Sequence, residues 1–166
     1  MNLLALLYFF LPAYVANMMP VIGRNWLPGK PVSAKLFGSH KTWRGLFLGT
    51  LGGVVVAGMQ NLLVPLLPSL SIAPYAQWWL LGLLLGAGAI LGDMLKSFVK
   101  RRLGIAPGAP WIPFDQLDFV IGGLALASFV YFPGWTAALV LIVLSFFLHI
   151  AVNHLGHALG MRKTAW

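Results

Sequence analysis

The stretch QWWLLGLLLGAGAILGDMLKSFV, residues 77–99, decides the kind of fold. It stays apolar long enough to cross a membrane, since about 30 Å of hydrocarbon takes about 20 helical residues at roughly 1.5 Å each. One carboxylate, Asp93, interrupts it near its end, and charges inside membrane spans usually have a function. Its glycines recur at the four-residue spacing that lets helix backbones approach closely in lipid, namely Gly82 with Gly86 and Gly88 with Gly92. The stretch therefore predicts a closely packed transmembrane helix that carries a functional charge.

The composition of the whole chain also indicates a membrane protein. Of 166 residues, 60% are hydrophobic and only 8% are charged, whereas about 25% charged residues are usual in a soluble domain. The chain has no cysteine, which excludes disulfides, thiolate zinc sites and cysteine nucleophiles. Eleven Lys and Arg residues stand against three acidic residues, a formal net charge of +8. Such a basic excess on a membrane protein suggests contact with phosphates.

Five apolar runs are long enough to be transmembrane helices, and they are predicted at residues 3–22, 45–67, 77–99, 114–132 and 135–159. The first run is expected to remain in the protein, because no basic residue precedes it as in a signal peptide. No soluble domain or internal repeat is visible. The chain is therefore predicted to be one polytopic membrane domain over residues 1–166, an all-α bundle of five transmembrane helices.

The basic residues predict the orientation, because Lys and Arg near helix ends are retained on the cytoplasmic side. They gather in the first connection, after the third run and in the tail: Arg24, Lys30, Lys35, Lys41 and Arg44, then Lys100, Arg101 and Arg102, then Arg162 and Lys163. All of them share one face if the N-terminus is outside and the C-terminus is cytoplasmic. Cytoplasmic loops at about 23–44 and 100–113 are then expected to carry the approach to an active site, in a multi-pass protein of the cell membrane.

The second run has two features that we interpret as packing. Gly45, Gly49 and Gly53 repeat the four-residue spacing of small residues. Gln60, near the middle of this run, is expected to form hydrogen bonds with neighbouring helices, because an unpaired amide is costly in lipid.

The chemistry is expected where the acidic side chains are. Asp93, Asp115 and Asp118 are the three acidic residues of the sequence, and they surround its densest basic run. At 100° per residue, Asp93 shares one stripe of its helix with Lys96, Ser97 and Lys100. Three convergent carboxylates among cations suit a hard divalent metal that holds a polyphosphate, since Mg²⁺ prefers oxygen ligands. The alternative is that the acids only pair with nearby basic residues at the membrane interface.

A second polar group, Ser39-His40-Lys41-Thr42-Trp43-Arg44-Gly45, precedes the second run. Its cations and hydroxyls come just before an expected helix N-terminus, where free backbone N–H groups and the helix dipole favour an anion. On the predicted topology it lies on the same face as the acids. Two interpretations are equally open: an anion site, or a basic flank with Trp43 as an interfacial anchor.

The order of these motifs resembles the signature of the CDP-diacylglycerol synthase family of membrane cytidylyltransferases. The matching residues are Gly92-Asp93, Ser97, Lys100-Arg101, Pro107-Gly108 and Asp115-Gln116-Leu117-Asp118. An upstream Ser-x-Lys-Thr-x-Glu-Gly element of that family matches residues 39–45 in part. The short length and the Lys-Thr-Trp-Arg-Gly form look most like the archaeal branch of the family, the CDP-archaeol synthases.

The resemblance implies transfer of a cytidylyl group from CTP to an isoprenoid ether lipid phosphate in phospholipid biosynthesis. It implies catalytic roles for Asp93, Lys96, Lys100, Arg101, Asp115 and Asp118. It further implies CTP binding by Ser39, Lys41, Thr42, Arg44 and Ser97. Asp93, Asp115 and Asp118 would be the metal ligands, with Mg²⁺, as two ions, the expected cofactor. The partners would be CTP, the lipid phosphate and the bilayer, and no nucleic acid is expected; a homodimer is left open.

Several positions depart from the wider family. Arg44 stands where that family has Glu, Gln116 where it has Arg, and residues 102–106 and 109–111 lack its Lys-Asp and His-Gly-Gly elements. These changes argue against a standard phosphatidate enzyme, which stays the nearer alternative. A small ion or solute carrier, in which acids pair with cations along a pathway, is the alternative from another class.

Three histidines lie along the last run, at His149, His154 and His157. The last two are three residues apart and could bind a metal. Histidines near a helix end more often take part in packing or interface hydrogen bonds, which is the interpretation that we favour.

Overall fold

The chain forms six α-helices within residues 2–26, 28–106 and 109–158, the ranges that the computed structural model describes. They are α1 (Leu3–Ile22), α2 (Ala34–Phe37), α3 (Trp43–Leu63), α4 (Trp78–Arg102), α5 (Phe114–Ala127) and α6 (Trp135–Ala158). Short 3-10 turns lie at Gly23–Asn25, Pro68–Leu70 and Tyr75–Gln77. Across these ranges, β pairing is limited to an isolated bridge between Pro31 and Thr42. The predicted all-α class is confirmed.

Four helices in the described part of the chain are long and apolar enough to cross a membrane: Leu3–Asn25, Trp43–Leu63, Tyr75–Arg102 and Trp135–Ala158. They correspond to four of the five predicted runs. The predicted end of the last run at residue 159 lies outside the described residues, as do Pro107, Gly108, Arg162 and Lys163.

The predicted span at 114–132 is wrong at its C-terminal end, because α5 stops at Ala127 after 14 residues. A helix of that length rises about 21 Å, less than the hydrocarbon thickness. The Ser128 hydroxyl donates a hydrogen bond to the Ala125 carbonyl oxygen at 2.7 Å. The amides of Val130 and Tyr131 both turn back to the Ala127 carbonyl oxygen, at 2.9 and 2.8 Å. These bonds close a turn where the apolar composition alone indicates more helix.

Two other helix ends differ from the prediction by three residues or more. α3 ends at Leu63 rather than at residue 67, because Pro65 has no amide N–H with which to continue the helical hydrogen bonds. α4 continues to Arg102, so the basic run 100–102 lies in its last turn rather than in a connection. Cations there face the negative end of the helix dipole, which stabilises the extra turn.

The central helix of the bundle is α4, which packs against α5, α3 and α1. Its glycines make these contacts close: a Cβ at Gly53 of α3 would lie 2.8 Å from the Gly82 carbonyl oxygen. On its other side, a Cβ at Gly92 would overlap the Asp118 carbonyl oxygen of α5. The packing role predicted for the glycines is confirmed. It places Asp93 and Asp118 on adjoining helices at the same level.

Polar contacts also join α3 to α1 and α1 to α6 inside the bundle. Gln60 of α3 is buried and donates to the Tyr8 carbonyl oxygen of α1, as its prediction required. The Tyr14 and Ser145 hydroxyls share a hydrogen bond of 2.6 Å that links α1 to α6. Hydrogen bonds between membrane helices contribute about 0.6 kcal/mol on average, so these contacts fix helix positions more than they add stability.

Candidate active site

The three carboxylates meet around one ammonium group. From Lys96 Nζ, the nearest carboxylate oxygens lie at 3.1 Å (Asp93 Oδ1), 2.9 Å (Asp115 Oδ1) and 2.7 Å (Asp118 Oδ2). Asp93 and Lys96 share the stripe of α4 that the helical spacing predicts. The close approach of α5 brings the other two acids to the same point. All three acidic side chains of the protein therefore bind one cation.

Two more lysines complete the cluster. Lys41, from the segment before α3, forms an ion pair with Asp93. Lys100 lies 3.1 Å from both carboxylate oxygens of Asp115. Three lysines thus face three carboxylates and balance their charge. The alternative interpretation from the sequence is that the acids only pair with nearby basic residues. The contacts of Lys96 and Lys100 are ion pairs of this kind.

The start of α5 holds its two carboxylates through backbone amides. The Trp111 amide donates to Asp115 Oδ2 at 2.5 Å, while the Asp115 amide donates back to the Trp111 carbonyl oxygen at 3.0 Å. The Phe119 amide donates to Asp118 Oδ1 at 2.6 Å. Asp115, in the first turn of α5, also meets the positive end of the helix dipole. Both acids are therefore oriented before any ligand arrives.

Lys100 connects the loop after α4 to this helix start. Its side chain is buried, with the residue only 6% exposed, and its ammonium donates to the Ala109 carbonyl oxygen at 2.5 Å. The remaining donors reach Asp115. An ammonium has three N–H groups, and all are used here. In this arrangement Lys100 fixes the loop and the carboxylate rather than facing an open space.

The polar group at 39–45 divides between site and scaffold. Lys41 reaches Asp93, and Ser39 lies exposed in the turn before it. The Thr42 hydroxyl caps α3 by accepting a hydrogen bond from the Gly45 amide at 3.1 Å. The Arg44 guanidinium donates to the carbonyl oxygen of Arg24. Part of this segment therefore holds the backbone at Arg24.

Ser97 forms a hydrogen bond within its own helix, whereas the Nε atom of Arg101 has no hydrogen-bond partner among the described residues. The Ser97 hydroxyl is buried and donates to the Asp93 carbonyl oxygen at 2.8 Å, a bond within α4. Arg101, in the last turn of α4, forms no ion pair with the three carboxylates, and its buried Nε lacks a hydrogen-bond partner among the described residues. Its guanidinium therefore has no carboxylate partner within the described residues.

No open metal site formed by three or more His, Cys, Asp or Glu side chains occurs in residues 2–26, 28–106 and 109–158. The carboxylates converge on Lys96 instead. The His149 ring packs 5.9 Å from the Phe119 ring, between α6 and α5. His154 and His157 are exposed near the end of α6. The packing interpretation agrees with the position of His149.

Sequence reasoning missed the backbone groups and the short helix that support the site. The Trp111 amide and the Ala109 carbonyl have no side-chain signal, so only the folded loop reveals them. α2 packs on α4 with the Phe37 and Phe98 rings 6.3 Å apart. The Arg102 guanidinium lies 5.1 Å from the centre of the Phe98 ring, a cation–π contact. The Phe-Gly pair before Ser39 could have indicated a short helix and its end.

An apolar groove of about 450 Å³ runs along α3 from the site end of the bundle. Its lining residues all belong to α3, namely Trp43, Leu46, Phe47, Thr50, Leu51 and Val54. It begins next to the segment that carries Lys41. The groove is thus a lipid-facing surface that starts beside the charged cluster.

Comparison with known proteins identifies the family of this chain. The family model described as CarS-like, CDP-archaeol synthase, matches residues 1–166. A CDP-archaeol synthase of Pyrococcus furiosus is 34% identical over 168 residues, covering 96% of this chain and 95% of that protein. One of Methanospirillum hungatei is 36% identical, covering 94% of this chain and 99% of its own length.

A solved structure also matches, described as that of an intramembrane enzyme for archaeal membrane lipids biosynthesis. It shares 31% sequence identity with a TM-score of 0.76, and the match covers 92% of this chain and 94% of the other. A likeness over nearly the whole length at this identity extends to the family and not only to the fold. With a family model that matches residues 1–166 and relatives that are 34% and 36% identical over nearly their whole length, this chain belongs to the CDP-archaeol synthase family.

Proposed function

We propose that the protein is a membrane cytidylyltransferase of archaeal ether lipid biosynthesis. It converts CTP and 2,3-bis-(O-geranylgeranyl)-sn-glycerol 1-phosphate to unsaturated CDP-archaeol and pyrophosphate. The observation that carries the proposal is the convergence of three carboxylates and three lysines where α4 ends and α5 begins, in a chain of this family. The relatives are named for that product.

The reaction needs charge neutralisation more than proton transfer. A phosphate monoester is largely dianionic at neutral pH, since its second pKa is about 6, so a general base is not required. A phosphate oxygen of the lipid attacks the α-phosphorus of CTP, the bond from that phosphorus to the β-phosphate oxygen breaks, and pyrophosphate leaves. Lys41, Lys96 and Arg101 offset the repulsion between the two anions. Lys100 keeps Asp115 and the Ala109 carbonyl in position.

The donor set fits magnesium. Asp93, Asp115 and Asp118 supply oxygen ligands from two helices, and all three already reach a single cation. These three residues would hold the expected Mg²⁺ ions, which when bound neutralise and polarise the triphosphate. Of the CTP contacts expected at Ser39, Thr42, Arg44 and Ser97, Ser39 has the hydroxyl that no hydrogen bond uses within the described residues. Ser39 is therefore the first of the four to test for CTP binding.

We also propose five membrane crossings, with α5 and the turn after it completing the fourth. The N-terminus is then outside, and the active site faces the cytoplasm, where CTP is available. The positive-inside rule supports this orientation, because both basic connections flank the charged cluster. The lipid enters sideways, so that its chains remain in hydrocarbon while its phosphate reaches Lys41.

The two alternative functions predict different results in an assay of products. A phosphatidate-type enzyme would prefer a diacyl lipid phosphate, and a solute carrier would release no pyrophosphate at all. The three carboxylates gather at one end of the bundle rather than along several helices, which favours an enzyme over a carrier.

A turnover assay with purified protein tests the proposal. Pyrophosphate release and the CDP-lipid are measured with CTP, Mg²⁺ and either the geranylgeranyl ether phosphate or a diacyl phosphate of equal concentration. We expect turnover with the ether lipid and a higher kcat/KM for it than for the diacyl lipid. Equal or reversed preference would contradict the lipid assignment. Full activity in excess EDTA would contradict the metal assignment.

A further inference from the structure

Lys96 occupies the point at which a metal ion would be expected. Its ammonium has three N–H donors, and three carboxylates lie within 3.1 Å of its nitrogen. The side chain is 13% exposed, so water offers little competition for these bonds. Each acid contributes one oxygen, which is also how three monodentate carboxylates would hold a divalent ion.

We infer that Lys96 is an internal counter-ion, which a divalent cation displaces from the three carboxylates when it binds. The inference rests on the proposed function for the presence of that cation. Neither neighbouring lysine has the same position: Lys41 pairs with Asp93 alone, and Lys100 is held by the Ala109 carbonyl and Asp115. Lys96 is thus the one ammonium of the cluster in contact with all three acids.

The counter-ion keeps the metal-free site folded. Three carboxylates at this separation repel one another strongly in a partly buried place, and Lys41 and Lys100 together neutralise only two of their three charges. Lys96 supplies the missing charge from within α4. A divalent ion carries twice that charge, so it competes successfully once its concentration is high enough.

Displacement also gives the ammonium a second position. Lys96 sits on a flexible stem of four carbons, and its release leaves a free cation beside the metal-bound carboxylates. Lys96 can then meet a substrate phosphate. The Lys96 ammonium therefore becomes available to a phosphate only after the divalent cation has replaced it at the three carboxylates. Lys96 is in this sense a positioning residue before metal binding and a phosphate contact after it.

Manganese binding in the absence of CTP tests the inference without any turnover. The protein is purified in a neutral detergent, so that no lipid phosphate competes, and free Mn²⁺ is followed by electron paramagnetic resonance. Lys96→Met, which preserves side-chain length without the charge, should bind Mn²⁺ about tenfold or more tighter than the wild type. Lys41→Met removes an equal charge from the same cluster, and it should change the affinity by less than about threefold, because it leaves Lys96 in place.

A measurement on the wild type covers the case in which Lys96→Met does not fold. Reductive methylation with isotope-labelled formaldehyde, read by mass spectrometry, reports the accessibility of each lysine. Added Mg²⁺ should raise the labelling of Lys96 several-fold relative to exposed Lys35, while Lys100 stays protected.

The outcomes separate this inference from the proposed function. Unchanged or weaker Mn²⁺ binding in Lys96→Met, equal tightening in Lys41→Met, or Lys96 labelling that ignores Mg²⁺ would each overturn it. If those results accompany Mg²⁺-dependent turnover, the proposed function stands and only the counter-ion is lost. If no variant binds a divalent ion and EDTA leaves turnover intact, the metal assignment fails as well.

Discussion

Gly92 of α4 and Asp118 of α5 are in backbone contact, with no room for a side chain between them. A Cβ at position 92 would overlap the Asp118 carbonyl oxygen and come within 3.2 Å of the Gly122 Cα atom. Asp118 belongs to the charged cluster, and Gly92 directly precedes Asp93, which also belongs to it. The separation of the helices at this point therefore sets the distance between the Asp93 and Asp118 carboxylates.

The substitution Gly92→Ala should push α5 away from α4 and open the cluster. Overpacking of this kind costs about 1–3 kcal/mol, and backbone atoms cannot swing aside as a side chain can. We expect a lower Tm in detergent and a loss of turnover of at least about tenfold. Thermal unfolding and CDP-lipid formation are measured on the same preparation.

Gly52→Ala is the matched control, because its added Cβ would meet the flexible Met19 side chain, 2.7 Å away, rather than backbone. It should keep nearly normal stability and turnover. Equal losses in both variants would mean that glycine as such, and not the α4–α5 contact, determines the effect.

The carboxylates of α5 should be indispensable for turnover but not for folding. Asp115→Asn and Asp118→Asn keep side-chain size while removing the charge that binds Lys96. We expect each to lower CDP-lipid formation by about 100-fold or more, with normal membrane insertion and purification yield. Near wild-type turnover in either variant would remove that residue from the metal site.

Lys100 and Arg101 are neighbours in sequence with opposite expected phenotypes. Lys100→Met should lower Tm, because Asp115 and the Ala109 carbonyl lose a shared donor inside a buried site, a loss of about 1–3 kcal/mol. Arg101→Met should leave Tm unchanged and raise KM for CTP. Thermal scans and CTP saturation curves are measured on both variants. A lower Tm in Arg101→Met together with a raised KM for CTP in Lys100→Met would exchange the two roles.

The sequence predicted the ends of a membrane span correctly where a capping residue marks the helix end. α1 covers residues 3–22 as predicted, because the Asn2 side chain accepts hydrogen bonds from the first free amides at 3.1 and 3.3 Å. α5 carries no such signal at its end. Residues 128–132 remain largely apolar, and the hydrogen bonds of Ser128, Val130 and Tyr131 end the helix there.

The sequence alone points to the charged side chains that meet in the cluster, but not to the contacts between them. Helical spacing places Asp93 and Lys96 on one stripe. It does not indicate that Lys96, rather than Lys100, contacts all three carboxylates, because that depends on how closely α5 approaches α4. Nor does it indicate that Arg44 turns toward the Arg24 carbonyl, a contact across twenty residues of loop and helix.

The proposed orientation can be tested by cysteine labelling, since the chain has no cysteine of its own. Lys35→Cys and Arg102→Cys occupy exposed positions on the basic face, whereas Ser69→Cys lies in the uncharged connection between α3 and α4. In intact cells an impermeant thiol reagent should label only the position at residue 69, and after lysis it should label all three. Labelling of positions 35 and 102 before lysis would invert the topology.

Lipid preference should depend on the groove along α3, and not on the lysines. Removing the chains of the substrate from hydrocarbon would forfeit about 0.8 kcal/mol per CH₂ group, so they must stay in contact with an apolar surface while the phosphate reaches Lys41. The groove that begins beside Lys41 offers this surface, and Phe47 and Leu51 lie along it. Its shape can distinguish branched isoprenoid chains from straight chains, whereas an ammonium group responds only to the phosphate that both lipids share.

Widening the groove with Phe47→Ala or Leu51→Ala should therefore change the ratio of kcat/KM between the geranylgeranyl and straight-chain substrates by about tenfold, the lower end of the effect of one methylene group in an apolar pocket. Lys41→Met should lower kcat/KM for both lipids by the same factor. Leu62→Ala, on the same helix and 76% exposed but outside the groove, controls for a general effect of truncating a lipid-facing residue. A shifted ratio in Lys41→Met together with a fixed ratio in the groove variants would show that the head group, and not the chains, governs the choice of lipid.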